Sequence, residues 1–445
     1  MTEQDDRQTS IPPYLFITDS GLKTSWELQG QPWRTETEID QKRQQFLAER
    51  RRIIPDIPKG IYPFRAPDLD EKNPCIKLNR ADIEWLLATH ENSRGPINWE
   101  DKSQRKRQGL DLRGANLSGE DLHDLPLACT KGGLADPHWD DVTDDTQWNI
   151  AKKEKESMAG VCMQEANLLG AQLQGANLSG ANLTRAGFVG AQLQEAALKR
   201  ANLTGAFLTG AKLQGADLWE AQLQGADLRG AQSDGVNLEK ATLSDEQYGT
   251  VLLADIRWGD VNLAVVDWTS VKKLGDEQLA RRTKSDDSYR DAVRANHQLA
   301  VALRNQGLNE EADRFDYRAQ VLQRKVYWNQ ITWSPGQLVQ SLGKWLFSAI
   351  LAAFTGYGYK PQRCFSWYII FLLFFTLLHM MVGARVGHPQ TFPNALAVSI
   401  QSLHGRIFSF QSSDPQTWLN TAEAFVGLFI EAIVVAVIIH RILGK

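Results

Sequence analysis

The sequence predicts a β-solenoid, followed by a helical connector and an α-helical transmembrane hairpin that carries a re-entrant segment. Three observations lead to this fold class. Small and branched apolar residues recur with a period of five between residues 161 and 268. Helical patterns follow, and two long apolar stretches lie near the C-terminus.

The period of five is incompatible with a regular helix or a plain strand. Five residues advance about 500° around a helix axis, and the alternation of a strand would not break after three residues. A chain that turns a corner after every pentad satisfies the pattern: alanine and leucine point inward, and the last two residues form the turn, often with glycine. From 161 to 266 the register allows 22 pentads, or roughly 26 Å of stacked four-sided coils.

The second inward position of each pentad forms a predicted ladder along the core. Its members are Leu168, Leu173, Leu178, Leu183, Phe188, Leu193, Leu198, Leu203, Leu208, Leu213, Leu218, Leu223 and Leu228. This repeat resembles the pentapeptide-repeat family, and the resemblance implies that family's right-handed quadrilateral β-helix. Some soluble members mimic DNA and bind topoisomerases, but their rods are strongly acidic and dimerise through the C-terminal end. Here residues 161–268 carry a net charge of −5 and a membrane module follows, so binding to topoisomerases in place of DNA is the least favoured function.

Composition, charge and residue spacing argue against several other classes of function. The net charge of −4 gives no sign of nucleic-acid binding. The four cysteines, Cys75, Cys129, Cys162 and Cys364, lack metal-ligand spacing and are expected to be free thiols in a reducing compartment. The N-terminus lacks the pattern of a cleavable signal peptide. We expect no catalytic constellation, metal or cofactor, because the histidines are isolated and no glycine-rich phosphate loop follows a strand.

The regions beside the main repeat are expected to cover its ends. Residues 1–109 are predicted to contain an amphipathic helix at 36–54 and a short helix at 79–90. This region is expected to cap the first coil, since an uncovered edge invites stacking. Pentads appear early, at 110–124, with their phase shifted by one. Residues 125–160 are therefore predicted to be an inserted loop, within a region of first pentads at 110–160.

Residues 286–330 predict a helical hairpin, with helices at 286–306 and 309–327 broken at Gly307. The segment resembles the connector often found between pentapeptide rods and membrane segments. A cap on the other end of the rod explains the pattern equally well, and the two roles are compatible.

Residues 338–445 predict a membrane module. An amphipathic helix at 338–354 is expected at the interface. Residues 364–384 comprise 21 residues without Asp, Glu, Lys or Arg, enough to cross a bilayer core of about 30 Å. A second span is predicted at 420–443. Basic residues before the first span and after the second place both termini and the rod in the cytoplasm of a multi-pass inner (plasma) membrane protein.

The segment 391–411 is too short to cross the bilayer and too apolar for a free loop, which predicts a re-entrant half-helix. Its order between two spans resembles the plan of tetrameric two-helix cation channels, over about 60 residues. The filter position, however, reads His404-Gly405-Arg406, and an arginine facing a pore would repel cations. Potassium selectivity is therefore doubtful, and anion or unselective passage stays open. The sequence Gly356-Tyr357-Gly358 precedes the first span and is interpreted as an interfacial turn.

Glu423, Gly427 and Glu431 follow one stripe of the second span. A carboxylate inside a bilayer costs a few kcal/mol and seldom faces lipid. The stripe predicts either a pore-lining or gating ring, or a buried hydrogen bond within the bundle, for example with His379. The full set of pore or gating candidates is Glu431, Glu423, Gly427, His404, Gly405, Arg406 and Ser399.

Two functions remain open from the sequence. The first is an oligomeric ion-channel-like protein with a cytoplasmic β-helical rod that regulates it or binds a protein partner. The second is a membrane-tethered interaction scaffold without transport activity. Both imply the lipid bilayer as a partner; the first also implies a homo-oligomer, and neither uses nucleic acid.

Overall fold

The computed structural model divides into two compact units, residues 1–312 and 313–445. It describes residues 31, 33–36, 38–54, 62–65, 75–134, 159–331, 335–386, 389–404 and 415–443.

In the first unit the pentads form stacked coils with four sides. Parallel β-bridges join residues 20 apart, as between Cys162 and Asn182 and between Asn202 and Gln222. All thirteen ladder positions from Leu168 to Leu228 are at most 5 % exposed, and the alanines between them are equally buried. The predicted β-solenoid is therefore confirmed for this segment.

The corners of the coils require a left-handed backbone conformation. Gly180 has a φ of 68°, and Arg185 adopts a φ of 58° at the equivalent corner of the next side. Glycine reaches this region without steric cost, which is why it recurs at the end of the pentads. Where another residue stands there, the stacked neighbours must hold the turn.

The inserted segment begins later than the sequence predicted. Residues 125–134 continue the coil, because Pro126 and Lys131 form parallel bridges to Gln172 and Asn177. These bridges join residues 46 apart rather than 20, so 26 extra residues enter after this point. That number is one more than five whole pentads, which explains the shift in phase. Most of the predicted insertion, 135–158, lies outside the described residues.

The count of 22 pentads is also wrong, since one of them is not a side of the coil. Residues 244–250 leave the coil as a hairpin of β3 (Ser244–Asp245) and β4 (Gly249–Thr250). The coil resumes at Val251, whose amide donates to the carbonyl oxygen of Leu243 at 3.0 Å. A hairpin that adds five residues preserves the register, and the sequence pattern alone therefore hides it.

The N-terminal region covers the first coil. Its elements are α1 (Gln41–Arg51), β1 (Ile76–Lys77), α2 (Arg80–Ala88) and α3 (His90–Ser93), and the first coil itself contains β2 (Ala115–Asn116). β1 pairs in parallel with β2 and so extends the ladder beyond the first coil. Asn79 and Asp82 form a capping box that starts α2. The buried Arg80 of α2 pairs with Glu84 at 2.8 Å and donates to the carbonyl oxygen of Asp121 at 3.0 Å.

Helices also cover the last coil. They are α4 (Gly275–Thr283), which the sequence analysis did not predict, and α5 (Asp286–Asn305). The buried carboxylate of Asp276 accepts hydrogen bonds from the backbone amides of Leu253 and Ala254, at 2.7 and 3.2 Å. Gln306, which follows α5, accepts from the amide of Leu263 at 2.8 Å. The capping role considered for this region is therefore confirmed for α5. The next helix, α6 (Asn309–Asn329), begins where predicted.

The second unit consists of long helices. They are α7 (Pro335–Thr355), α8 (Pro361–Arg385), α9 (Phe392–Leu403) and α10 (Pro415–Leu443). The short helix α9 packs against both α8 and α10. Among the described residues, two helical segments are long and apolar enough to cross a membrane, Leu338–Thr355 and Gln362–Arg385. The helix predicted to lie at the interface thus passes the same test of length and composition as the first predicted span.

Candidate functional site

The helices α8 and α10 expose large apolar side chains over most of their described surface. These are Phe365, Ile369, Ile370, Leu373, Phe374, Leu377 and Met381 on α8, and Trp418, Phe425, Leu428, Phe429 and Val435 on α10. Polar and ionisable groups among them are expensive in an apolar environment unless they are paired. Two separate groups of polar and ionisable side chains occur here, besides single contacts such as the hydrogen bond from Ser402 to Asn420 at 3.1 Å.

The first group is buried between the three helices and is named the inner cluster: His379, Ser399 and Glu423. Nε2 of His379 on α8 lies 2.8 Å from Oε2 of Glu423 on α10, and both residues are fully buried. The hydroxyl of Ser399 on α9 donates to Oε1 of the same carboxylate. Each helix therefore contributes one polar side chain, and both carboxylate oxygens of Glu423 are hydrogen-bonded within one chain.

The two ring nitrogens of His379 differ in their hydrogen bonding. Its Nδ1 is buried and has no hydrogen-bond partner within the described part of the chain. The contact between Nε2 and Glu423 is satisfied either by a neutral imidazole that donates through Nε2 or by an imidazolium ion paired with the carboxylate.

Gly427 lies one helical turn beyond Glu423 and has a packing role. A Cβ atom at this position would overlap the carbonyl group of Leu403 at the end of α9. Glycine thus allows the C-terminal end of α9 to lie directly against α10. Gly427 therefore lies in the contact between α9 and α10. This packing accounts for a glycine at the position without a pore.

The second group lies on the exposed side and is named the outer cluster: Tyr368, His404 and Glu431. Nδ1 of His404, just after α9, lies 2.7 Å from Oε1 of Glu431 on α10. Its Nε2 lies 3.1 Å from the hydroxyl of Tyr368 on α8. The side chains of His404 and Glu431 are 38 % and 50 % exposed. This cluster interrupts the apolar surface of the unit.

The structure therefore places the two carboxylates of the predicted stripe in different environments. Glu423 is the partner of His379, as one interpretation of the stripe allowed, whereas Glu431 remains on the surface. Two candidates, Gly405 and Arg406, lie outside the described residues. Tyr368 was missed because a tyrosine within an apolar span is normally a membrane-interface anchor, and only the position of α9 shows its partner.

The Gly356-Tyr357-Gly358 segment is a turn between α7 and α8, as predicted. Tyr357 has a φ of 58°, and its hydroxyl lies 2.9 Å from that of Ser348 on α7. The next tyrosine, Tyr359, donates to the carboxylate of Asp316 on α6 at 2.6 Å. Both tyrosines pack edge-on against Tyr317. The turn is thus fixed by side-chain hydrogen bonds and aromatic contacts.

Within the described residues, no group of three or more His, Cys, Asp and Glu side chains is arranged to hold a metal ion. All four cysteines are free thiols.

Comparison with known proteins identifies the repeat. The family model described as pentapeptide repeats matches residues 162–199, 191–230 and 206–245. No curated protein matches the chain.

Three solved structures illustrate the likeness. A pentapeptide repeat protein from the Arabidopsis thaliana thylakoid lumen is 31 % identical, with 25 % of this chain and 77 % of that chain covered and a TM-score of 0.15. One from the cyanobacterium Cyanothece 51142 is 27 % identical, with 33 % and 84 % covered and a TM-score of 0.20. One from Nostoc PCC 7120 is 25 % identical, with 26 % and 95 % covered and a TM-score of 0.18. Through its repeats, this chain belongs to the pentapeptide-repeat family.

Proposed function

We propose that this pentapeptide-repeat protein is embedded in the membrane and forms an oligomer with an ion-channel-like path. In this proposal the outer cluster faces water at the contact between copies. The single observation that carries the proposal is the exposure of Glu431 and His404 on helices whose other exposed side chains are mainly apolar. A half-exposed carboxylate facing lipid would cost a few kcal/mol. Water or a neighbouring copy removes that cost.

The dimensions of α9 support the same arrangement. Its 12 residues span about 18 Å, which is too short to cross a bilayer core of about 30 Å. A short helix held between two long ones, with its C-terminal end beside the outer cluster, is the arrangement expected of a re-entrant pore helix. Two long helices alone cannot enclose a path, so the proposal requires several copies around an axis.

The solenoid rod supplies the interaction part of the function. Its two ends are covered, by β1 at one end and by α4 and α5 at the other. The flat polar sides are thus the surfaces that remain for a protein partner. In the proposed topology the rod is cytoplasmic, because basic residues flank the apolar helices on that side. Protease treatment of inside-out membrane vesicles should digest an engineered cleavage site in the rod, and treatment of right-side-out vesicles should leave it intact.

The test of the channel proposal is ion flux through liposomes that contain the purified full chain. We expect flux in the wild type and a change in its rate or selectivity in Glu431→Gln. Glu239→Gln, on the surface of the rod, is the matched control and should leave flux unchanged. Verified insertion without flux above that of empty liposomes would overturn the proposal. An oligomer in detergent is the companion result, by crosslinking or light scattering.

A membrane-tethered scaffold without transport is the second candidate. The observation that favours it is the inner cluster: Glu423 is fully buried and paired within one chain, so this carboxylate needs no neighbouring copy. A monomer in detergent, together with the absence of flux, would select this alternative.

A further inference from the structure

Two of the four cysteines lie in contact at the N-terminal end of the rod. Cys75 immediately precedes β1, and Cys162 is in the first pentad after the inserted segment. Their Sγ atoms are 3.9 Å apart although the residues are 87 positions apart in the sequence. Both side chains are only partly buried, so small solutes can reach them. The other two cysteines form no such pair.

The surroundings of the pair favour a reactive thiolate. The pKa of Cys75 is lowered to about 7, first because its sulfur is hydrogen-bonded with that of Cys162 and also because the positive charge of Arg65 lies nearby. The same hydrogen bond and burial raise the pKa of Cys162. One thiolate and one thiol in contact are the two reactants that disulfide formation requires. Burial instead raises the pKa of Cys129, which makes that thiol a useful comparison.

The position of the pair determines what a bond between them would do. β1 pairs with one edge of β2, and Cys162 pairs with Asn116 on the other edge of β2. A disulfide would therefore reach across β2 and tie the N-terminal cap to the next coil. The sulfur atoms must approach from 3.9 Å to about 2.05 Å, so Cys75, which lies just outside β1, has to shift toward Cys162. Disulfides that need such a shift are the readily reduced kind.

We propose that Cys75 and Cys162 are an oxidation site, at which a peroxide forms a reversible disulfide that fastens the N-terminal cap to the rod. The Cys75 thiolate attacks one oxygen of hydrogen peroxide, the O–O bond breaks, and the departing hydroxide takes up a proton to leave as water. The resulting sulfenic acid then reacts with Cys162: the S–S bond forms, and the sulfenic oxygen leaves as water with the thiol proton. Two thiols lose two electrons, and one peroxide gains them.

The experiment uses the purified full chain in detergent, in a background that carries Cys129→Ser and Cys364→Ser. We expect hydrogen peroxide to reduce the number of free thiols from two to zero and dithiothreitol to restore both. Mass spectrometry should find one peptide pair joined through Cys75 and Cys162, lighter by two hydrogen atoms. In the native chain at pH 7, Cys75 should react with a thiol probe roughly three- to tenfold faster than Cys129, because its thiolate fraction is larger.

Single replacements separate this result from unspecific oxidation. In the same background, Cys162→Ser should stop at a sulfenic acid on Cys75 that a dimedone probe traps, and Cys75→Ser should keep its remaining thiol. Persistent sulfenic acids without the joined peptide, or a product that links different copies only, would overturn the proposal. A rate of reaction with the thiol probe that is no higher at Cys75 than at Cys129 would also overturn it.

Discussion

The leucine ladder offers the sharpest test of the rod, at Leu213. This side chain is buried in the coil, with Leu193 at the same position of the preceding coil, and its amide donates to the carbonyl oxygen of Gln232 at 2.8 Å. Leu213→Ala removes three carbon atoms from the core. The lost transfer free energy and the cavity that remains together destabilise the coil by about 2.7–5 kcal/mol.

Hydrogen exchange followed by mass spectrometry on the full chain measures this locally. Since 1.4 kcal/mol corresponds to a factor of ten, exchange in the coils around residue 213 should accelerate roughly 100-fold or more. The control is Lys212→Ala, one residue away at the outward-pointing position, which should change exchange by less than about threefold because surface substitutions cost within 0.5 kcal/mol. Equal effects of the two replacements would refute the inward placement of the ladder.

Three further predictions concern the cap and the helical unit. Burial raises the pKa of Asp276 from 3.8 to about 6. Between these pH values the folded chain holds a proton that the unfolded chain has released. The cap formed by α4 and α5 should therefore lose stability, on the order of 2 kcal/mol, as pH rises from about 4 to about 6. Asp276→Asn should remove this dependence, measured by exchange of the amides of α4 between pH 4 and 7. Gly427→Ala should separate α9 from α10 and cost about 1–3 kcal/mol, seen as a lower midpoint of thermal unfolding in detergent, and a midpoint equal to the wild type would contradict the close contact. Glu423→Ala should cost about 1–3 kcal/mol by leaving the buried His379 and Ser399 without their hydrogen-bond partner, and the double replacement with His379→Ala should cost less than the sum of the two single ones.

Sequence reasoning was most successful where one residue pattern has one physical solution. A period of five with alternating small and large apolar residues fits only a coil with a corner in every pentad, and the structure buries each predicted ladder position. The boundaries of the long helices were also predictable, because apolar runs and glycine or proline breaks fix them within a few residues. Gly307 is an example.

The errors arose where the chain leaves the coil in whole pentads or in a loop. The hairpin at 244–250 adds one pentad and therefore leaves no trace in the register. The start of the insertion was predicted too early, at residue 125, because the coil residues that follow contain Leu125 and Leu127 without the usual alanine at the first inward position. α4 was missed because its helical pattern is short, and its position depends on Asp276 reaching the backbone of the last coils.

The sequence identified the polar candidates, but it could not show which of them are buried and which are exposed. Glu423 and Glu431 are two turns apart on one helix, and their spacing gives them the same predicted environment. Which carboxylate is buried depends on α9, whose Ser399 faces Glu423 and whose end brings His404 to Glu431. Such tertiary contacts are not encoded in the periodicity of α10.

The most direct test of a membrane-embedded module with a hydrated outer cluster is cysteine labelling in native membranes. Glu431→Cys and Leu428→Cys are compared in a chain whose four native cysteines are replaced by serine, with a membrane-impermeant, water-soluble thiol reagent applied to both faces of the membrane. Rapid labelling at position 431 and none at position 428 is the expected result, since the first position faces water and the second faces lipid. Equal labelling at both positions, or protection of both, would contradict the proposed arrangement.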